Sequence, residues 1–401
     1  MIPVLAAAQQ EQRLRDRDPR LEGAKKVTGE LQETNFHWGS FYLLSSFRLS
    51  DVGYTQTYVP TGDTSGLSLS VEAPHRLYFV PHKKTIFTAE LTPSYSFFNE
   101  NEDDRQISYL ARGDAHFLFN HLYLDVYTQR ANQLRAHVAD LNRLATVDEE
   151  ETGVAGEVKY SSRTSALFSA RYRDLKYPDN RFQPTAPNGE ELPVYLLERN
   201  ERNVRLSFNH KTFPLTSLFV ASELSNYGFR NASYLDSHRL YYGAGFAYDN
   251  GRTSLRAEAG PMKLDFDDAN QQDYDGLSAS VEGSRGSGRW NFHAGADRDI
   301  GFSIFDDNGY YVATAANTGI EYSATRRLTL RSGIVWERDA YDTPVAGRRR
   351  KDEYSFSSVG FSYGFRRLRT GLDVGWYERD STAFGDEDSG IRYVLHLSYT
   401  P

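Results

Sequence analysis

The chain closes on IRYVLHLSYTP, residues 391–401, and the two parities of this stretch disagree. Ile391, Tyr393, Leu395, Leu397 and Tyr399 are apolar or aromatic, whereas Arg392, Val394, His396, Ser398 and Thr400 are mostly polar. Successive side chains of a β-strand point to opposite faces, so this segment has one oily face and one wet face. Which surroundings each face meets decides the fold.

Composition narrows the answer. The 401 residues include 27 Tyr, 10 His and 2 Met, with 14% aromatic and 39% hydrophobic residues. Mean hydropathy is -0.61. A membrane helix needs about 18–20 continuous apolar residues, and no stretch approaches that. A membrane β-barrel is still allowed, because alternating strands never raise the average hydropathy. The net charge of -8 shows no concentrated basic face and argues against a nucleic-acid partner. With no cysteine there is no disulfide framework, thiolate metal site or cysteine nucleophile.

From about residue 41 the sequence reads as strands, and the connections between them alternate in kind. Polar, acidic or Gly-rich segments fall at 59–63, 99–104, 134–152, 176–198, 229–236, 265–273, 303–310, 342–352 and 384–389. Between them lie tight turns at 120–121, 161–163, 212–214, 249–251, 285–288, 325–327 and 366–367, with one unusually long turn expected at 74–83. Asn250-Gly251 is a two-residue hairpin signal. Long loop and short turn in strict alternation is the pattern of an outer-membrane barrel, with long loops outside and short turns in the periplasm. The expected fold is therefore all-β: a single transmembrane antiparallel up-and-down barrel of about 18 strands over residues 41–401, both termini periplasmic. Strands of roughly 12 or 13 residues, tilted near 40°, climb roughly 30 Å, enough for an apolar band of about 25 Å.

Face assignment follows from size. In RLTLRSGIVWE, Leu328, Leu330, Ile334 and Trp336 oppose Thr329, Arg331, Gly333 and Glu337; in RTGLDVGWYER, Leu372, Val374 and Trp376 oppose Gly371, Asp373, Gly375 and Arg379. A barrel of 16 to 18 strands is too wide for side chains to fill, so the polar set faces a water-filled lumen and the apolar set faces lipid. The expected pore-lining residues are Asp114, His116, Asp125, Arg205, Arg256, Glu258, Glu282, His293, Asp297, Glu321, Arg331, Glu337, Asp373, Arg379 and Arg392. Mixed signs predict cross-strand pairing and weak ion selectivity, suited to polar, largely neutral solutes. Trp336, Trp376, Tyr227, Tyr341 and Tyr399, near strand ends, are the expected interfacial girdle.

The last third carries a resemblance. GIVWERDAYD (333–342), the strand pair around Arg366-Arg367, and VGWYERDSTAFGDEDSGIRYVLHLSYTP (374–401) resemble the β-barrel porin 2 group of outer-membrane proteins, with a weaker likeness back to residue 41. That resemblance implies a porin-like channel for polar solutes and, for some members, exopolysaccharide secretion with a periplasmic export partner. The chain departs from many barrels by placing Thr400-Pro401 after its last aromatic residue.

Other chemistry is thin. Ser237 and His238 are adjacent in a strand, so they face opposite ways and cannot form a nucleophile and base pair; no enzyme is expected. Arg112-Gly113-Asp114 sits within a strand, away from any loop tip. Asp265, Asp267, Asp268, Asp273 and Asp275 offer hard oxygen ligands but lack the Gly and Glu of a calcium loop. No metal or cofactor site is assigned. Acidic loops, including Glu149, Glu150 and Glu151, are expected to stay solvated or, as the weaker alternative, to share calcium or magnesium with lipopolysaccharide phosphates, and GRRRKD (347–352) to stay solvated or to meet those phosphates. Residues 1–40 read as the back of a secretory signal (MIPVLAAA) or an ordinary flexible terminus, followed by a polar periplasmic leader, either flexible or docking an export partner.

Overall fold

The structure, a computed structural model, describes residues 23–58, 64–99, 105–138, 141–178, 194–303, 309–345, 348–382 and 388–400. It opens with helix α1 (Gly23–Glu30) and a 3-10 turn (Leu31–Glu33). The strands are β1 (Phe36–Trp38), β2 (Phe41–Ser45), β3 (Phe47–Tyr58), β4 (Thr64–Glu72), β5 (His75–His82), β6 (Thr85–Phe98), β7 (Gln106–Leu118), β8 (Leu122–Val138), β9 (Leu141–Lys159), β10 (Thr164–Lys176), β11 (Arg199–Phe213), β12 (Thr216–Phe229), β13 (Ser237–Asp249), β14 (Thr253–Phe266), β15 (Tyr274–Ser287), β16 (Trp290–Phe302), β17 (Tyr310–Ser323), β18 (Leu328–Val345), β19 (Arg348–Phe365), β20 (Leu368–Ser381) and β21 (Asp388–Tyr399). All belong to one sheet. β2 runs on into β3 and β4 into β5, so the wall is a closed antiparallel barrel of 18 strands.

The closing seam is the stretch quoted first. β21 pairs with β20 on one side (Val374↔Tyr393) and with β3 on the other (Tyr393↔Tyr54, Tyr399↔Phe47). Below Tyr399 the edge of β2 would be bare, and β1 covers part of it through Phe36↔Leu43 and Trp38↔Phe41. No lipid-exposed backbone edge is tolerated in a membrane, which gives this short strand its purpose.

Three connections differ from the sequence reading. Residues 75–82, expected within a long turn, form β5, paired with β2 and β6, and only Lys83-Lys84 turn the chain. The alternation that marks a strand is present there (Leu77 and Phe79 outward, Arg76 and Tyr78 inward), but the prolines at 74 and 81 hid it. The segments 134–152 and 342–352, expected as loops, are the upper parts of the hairpins β8–β9 and β18–β19. Their acids looked solvated and are instead paired: Glu149 with Arg173 at 3.0 Å, and Tyr127 donates to Glu151 at 2.8 Å. Glu149 is buried. Arg350 likewise turns inward, donating to Asp352 at 2.6 Å and lying over the Tyr341 ring, so it does not reach outward to phosphates. The loop of 176–198 and those at 59–63, 99–104, 303–310 and 384–389 lie largely or partly outside the described residues, as does the apolar start of the chain.

The two faces separate cleanly. On β11 and β12, Val204, Leu206, Phe208, Leu218, Val220 and Leu224 are exposed, while Arg205, Ser207, Glu223 and Ser225 between them are buried. A ring of aromatics decorates the tight-turn end, including Trp38, Phe41, Phe213, Trp290 and Tyr399; Trp290 lies 4.4 Å from Tyr322. Trp376 is exposed on the same outer face but nearer the long-loop end of β20, whereas Tyr227 and Tyr341 are 5% and 2% exposed and face inward. They share the parity of the lumen charges, which proximity to a strand end could not reveal. Tight hairpins need left-handed residues, here Gly251 at φ 79° and Arg366 at φ 53°.

If the outer face meets hydrocarbon, the cost of a charge there depends on depth. Leu224→Arg, near mid-strand, should destabilise the barrel by about 2–4 kcal/mol, and Leu215→Arg at the turn by about 0–1 kcal/mol. Urea unfolding in lipid vesicles would check both, and equal costs would contradict the orientation.

Candidate functional site in the barrel lumen

Cross-strand partners share a face, so the register can be followed around the wall. It carries Asp114, His116 and Asp125, then Arg205, Arg256, Glu258 and Glu282, then His293, Asp297, Glu321, Arg331 and Glu337, then Asp373, Arg379 and Arg392 to the inner face. Most are spent on one another. Arg205 donates to Glu223 at 3.0 Å and to Glu258 at 2.7 Å; Arg256 stands 3.7 Å from Glu258 and opposite Glu282. Arg331 donates to Asp373 at 2.7 Å, and Arg379 lies 3.8 Å from Asp352.

Several charges in this network escaped the sequence reading. Arg239 sits between Glu223 at 3.3 Å and Asp299 at 3.6 Å, and Arg173 between Glu149 at 3.0 Å and Glu201 at 3.6 Å. Arg199 donates to Glu201 at 2.8 Å, and Tyr241 to Glu258 at 2.9 Å. Parity relative to Arg205 was the available signal for all of them. Opposite charges meet across neighbouring strands, as Arg173 with Glu149 and Arg205 with Glu223, and across the lumen between more distant strands, as Arg205 with Glu258 and Arg239 with Asp299.

These charges are buried because something fills the lumen above them. The 3-10 turns Val194–Leu197 and Ser233–Leu235, from the connections after β10 and β12, fold inward. Leu197 and Leu235 pack with Tyr227, Phe229, Met262, Leu264, Phe302 and Tyr310 in one apolar cluster. Phe302 meets Phe229 and Tyr227 edge-on, with centroids 4.8 and 5.0 Å apart. At the tight-turn end, α1 enters the same interior. Val27 packs with Tyr78 and Ile86, Glu30 pairs with Arg76 at 3.0 Å, and Tyr78 donates to Glu30 at 2.9 Å.

The wall from β16 to β21 and β3 keeps a cavity of about 420 Å³. Arg331, Asp373, His396, Arg392, His293 and Glu321 line it, with Arg48 and Arg369. His396 lies 3.4 Å from Asp373 and 3.2 Å from Arg331. Two glycines let imidazoles lie flat on this wall: a Cβ at Gly371 would be 2.3 Å from His396, and one at Gly319 2.1 Å from His293. The side chains of Arg48 and Arg369 are exposed to the cavity region and make no ion pair among the described residues.

Remaining candidates resolve simply. Ser237 is buried and His238 is exposed on the other face, beside Asn226 at 2.7 Å. Arg112 and Asp114 bond to each other. In the acidic loop, Asp273 and Asp268 accept from backbone N–H groups of Phe266 and Asn270, and Asp275 pairs with Lys263 at 3.2 Å; they cap turns and do not converge.

Comparison with known proteins adds the fold. No family model matches the chain and no curated protein matches it, so the resemblance to the porin 2 group gains no support of that kind. Among solved structures, the outer membrane protein OpdK from Pseudomonas aeruginosa matches with a TM-score of 0.53 at 11% identity, over 90% of this chain and 99% of that one. OccK2 (OpdF) from Pseudomonas aeruginosa matches at 0.52 and 11%, over 89% and 98%. OccAB4 from Acinetobacter baumannii matches at 0.50 and 12%, over 90% and 98%. At such identity the likeness is one of fold: a large closed antiparallel β-barrel.

The ladder makes a stability prediction. Arg205→Ala would remove the cation that Glu223 and Glu258 share, leaving each buried with only the more distant Arg239 or Arg256, and should cost about 3–5 kcal/mol. Arg205→Lys should recover part of it. Unfolding in detergent micelles would show this, and a loss below about 1 kcal/mol would mean that water reaches these carboxylates.

Proposed function

We propose that the protein is a non-enzymatic outer-membrane channel for small polar solutes, and that its path runs along the β18–β21 and β3 side of the lumen. The observation that carries this reading is the lopsided interior. A closed barrel with an apolar outer belt has one side packed by inward turns and a buried charge ladder, and the other side still open around Arg331, Asp373 and His396. Water and solute follow the charged, unfilled side.

In this reading the tight-turn end faces the periplasm and both termini lie there, because an even strand count returns the chain to its starting side. The long-loop end meets lipopolysaccharide. Two inward turns and α1 leave a narrow path, which favours small solutes over an exported polysaccharide chain or an export partner docked at the mouth. The lining carries both signs, but Arg48 and Arg369 make no ion pair among the described residues, so weak selectivity should lean toward anions. A second reading, a plugged barrel acting as a surface or structural protein, is favoured by the same inward turns and by the helix at the other end.

Single-channel recording in planar bilayers separates the two. The intact protein should show a small steady conductance with a modest anion preference. Arg48→Glu with Arg369→Glu should shift the reversal potential toward cations. Conductance appearing only after residues 23–33 are removed would favour the plugged barrel, and silence in every inserted form would refute a channel.

A further inference from the structure

We propose a transition-metal site on the inner wall where β6, β7 and β8 meet, built from His116, Asp125 and Asp114 and taking a zinc-like divalent cation. One donor atom from each residue lies within 4.8 Å of the others. His116 Nδ1 is 3.0 Å from Asp125 Oδ1, already close to the spacing of two ligands on one tetrahedral ion. The His116 and Asp114 side chains are 7% and 8% exposed.

Two further observations point to a cation. Asp125 Oδ1 is buried and accepts no well-formed hydrogen bond. A buried carboxylate oxygen in that state is costly unless a charge compensates it. The surrounding charges also fail to balance. Arg76 serves both Glu30 and Glu90, at 3.0 Å each, and Arg112 serves Asp114 at 2.7 Å while standing 4.0 Å from Asp125. Two partly exposed guanidiniums thus face four carboxylates, of which Asp114 and Asp125 are the most deeply set, and a divalent ion beside those two restores neutrality.

The donor set chooses the ion class. One imidazole and two carboxylates with a place for water suit zinc or a neighbouring first-row metal; calcium asks for six to eight oxygens. Outer partners are present as such sites require. Thr88 donates to Asp114 Oδ2 at 2.8 Å and lies 3.4 Å from His116 Nε2, the ring nitrogen that keeps its proton for an outer partner when Nδ1 ligates. Each carboxylate oxygen has a second acceptor position, so Asp114 can keep Arg112 and Thr88 while ligating. The nearby guanidinium weakens the site, so Arg112→Gln should tighten it.

The test uses the full chain, folded in detergent and stripped of metal, titrated with Zn²⁺ by calorimetry and with Co²⁺ by visible absorption. One saturable site per chain is expected, with the intense d–d bands of low-symmetry cobalt. Asp125→Asn and His116→Ala should each weaken binding at least tenfold, with His210→Ala on the outer wall as the unchanged control. Strand circular dichroism verifies that each variant is folded, and Asp125→Asn, nearly isosteric, serves if His116→Ala does not fold. No saturable binding by the intact chain, or binding unaltered in Asp125→Asn, would overturn the site and leave a histidine–aspartate pair only.

Discussion

Hydrocarbon offers the backbone no hydrogen-bond partner, and every feature of this fold answers that constraint. Strands satisfy it only when the sheet closes on itself. Closure occurs where β21 meets β3, and β1 covers part of the step that remains beside β2. Once the sheet is closed, side-chain parity has two different solvents to satisfy. One parity, with Leu206, Val220 and Leu224, lies outward, and the other, with Arg205, Glu223 and Ser225, lies inward. A slip of one residue anywhere would exchange lipid and lumen along a whole strand, so the register is held by large energies at many positions.

The interior obeys a second rule. A wall of 18 strands encloses more space than its own side chains can fill, and the chain deals with it unevenly. On the side of β9 to β16 it folds two turns inward and puts Leu197 and Leu235 over a ladder of paired charges. Those charges no longer see bulk water and are kept by one another, with Arg205 and Arg239 as the junctions. On the side of β18 to β21 nothing comparable intrudes among the described residues, and the arginines and imidazoles there keep access to a cavity. In the proposed channel this asymmetry joins stability to function: one half of the lumen braces the wall, and the other half keeps the cavity.

The wall was legible from sequence because its signal has period two and repeats in every strand. Strand count and closure follow from that period together with the alternation of long loops and tight turns. The packing inside was not legible, since it depends on where connections fold. Nothing in Leu197 or Leu235 marks them as lumen residues, because loop residues carry no parity. The acids of 148–151 were misplaced for the converse reason: four carboxylates in a row look solvated, and only the neighbouring strand shows that Arg171 and Arg173 reach diagonally to Glu151 and Glu149. Tyr227 and Tyr341 failed as girdle residues because nearness to a strand end says nothing about the face. His116 and Asp125 were individually placed, but their pairing across β7 and β8 needed the register.

Adjacent residues of the closing strand meet two different media, and a sequence without cysteine allows each of them to be probed singly. Single cysteines introduced in turn at positions 392–396, with the protein inserted in vesicles, would be exposed to a charged thiol reagent and, as fluorophore adducts, to a brominated-lipid quencher. Arg392→Cys, Val394→Cys and His396→Cys should react from water and escape quenching, whereas Tyr393→Cys and Leu395→Cys should be quenched by lipid and resist the reagent. Uniform behaviour along the strand, or the opposite phase, would contradict the barrel orientation on which the whole account rests.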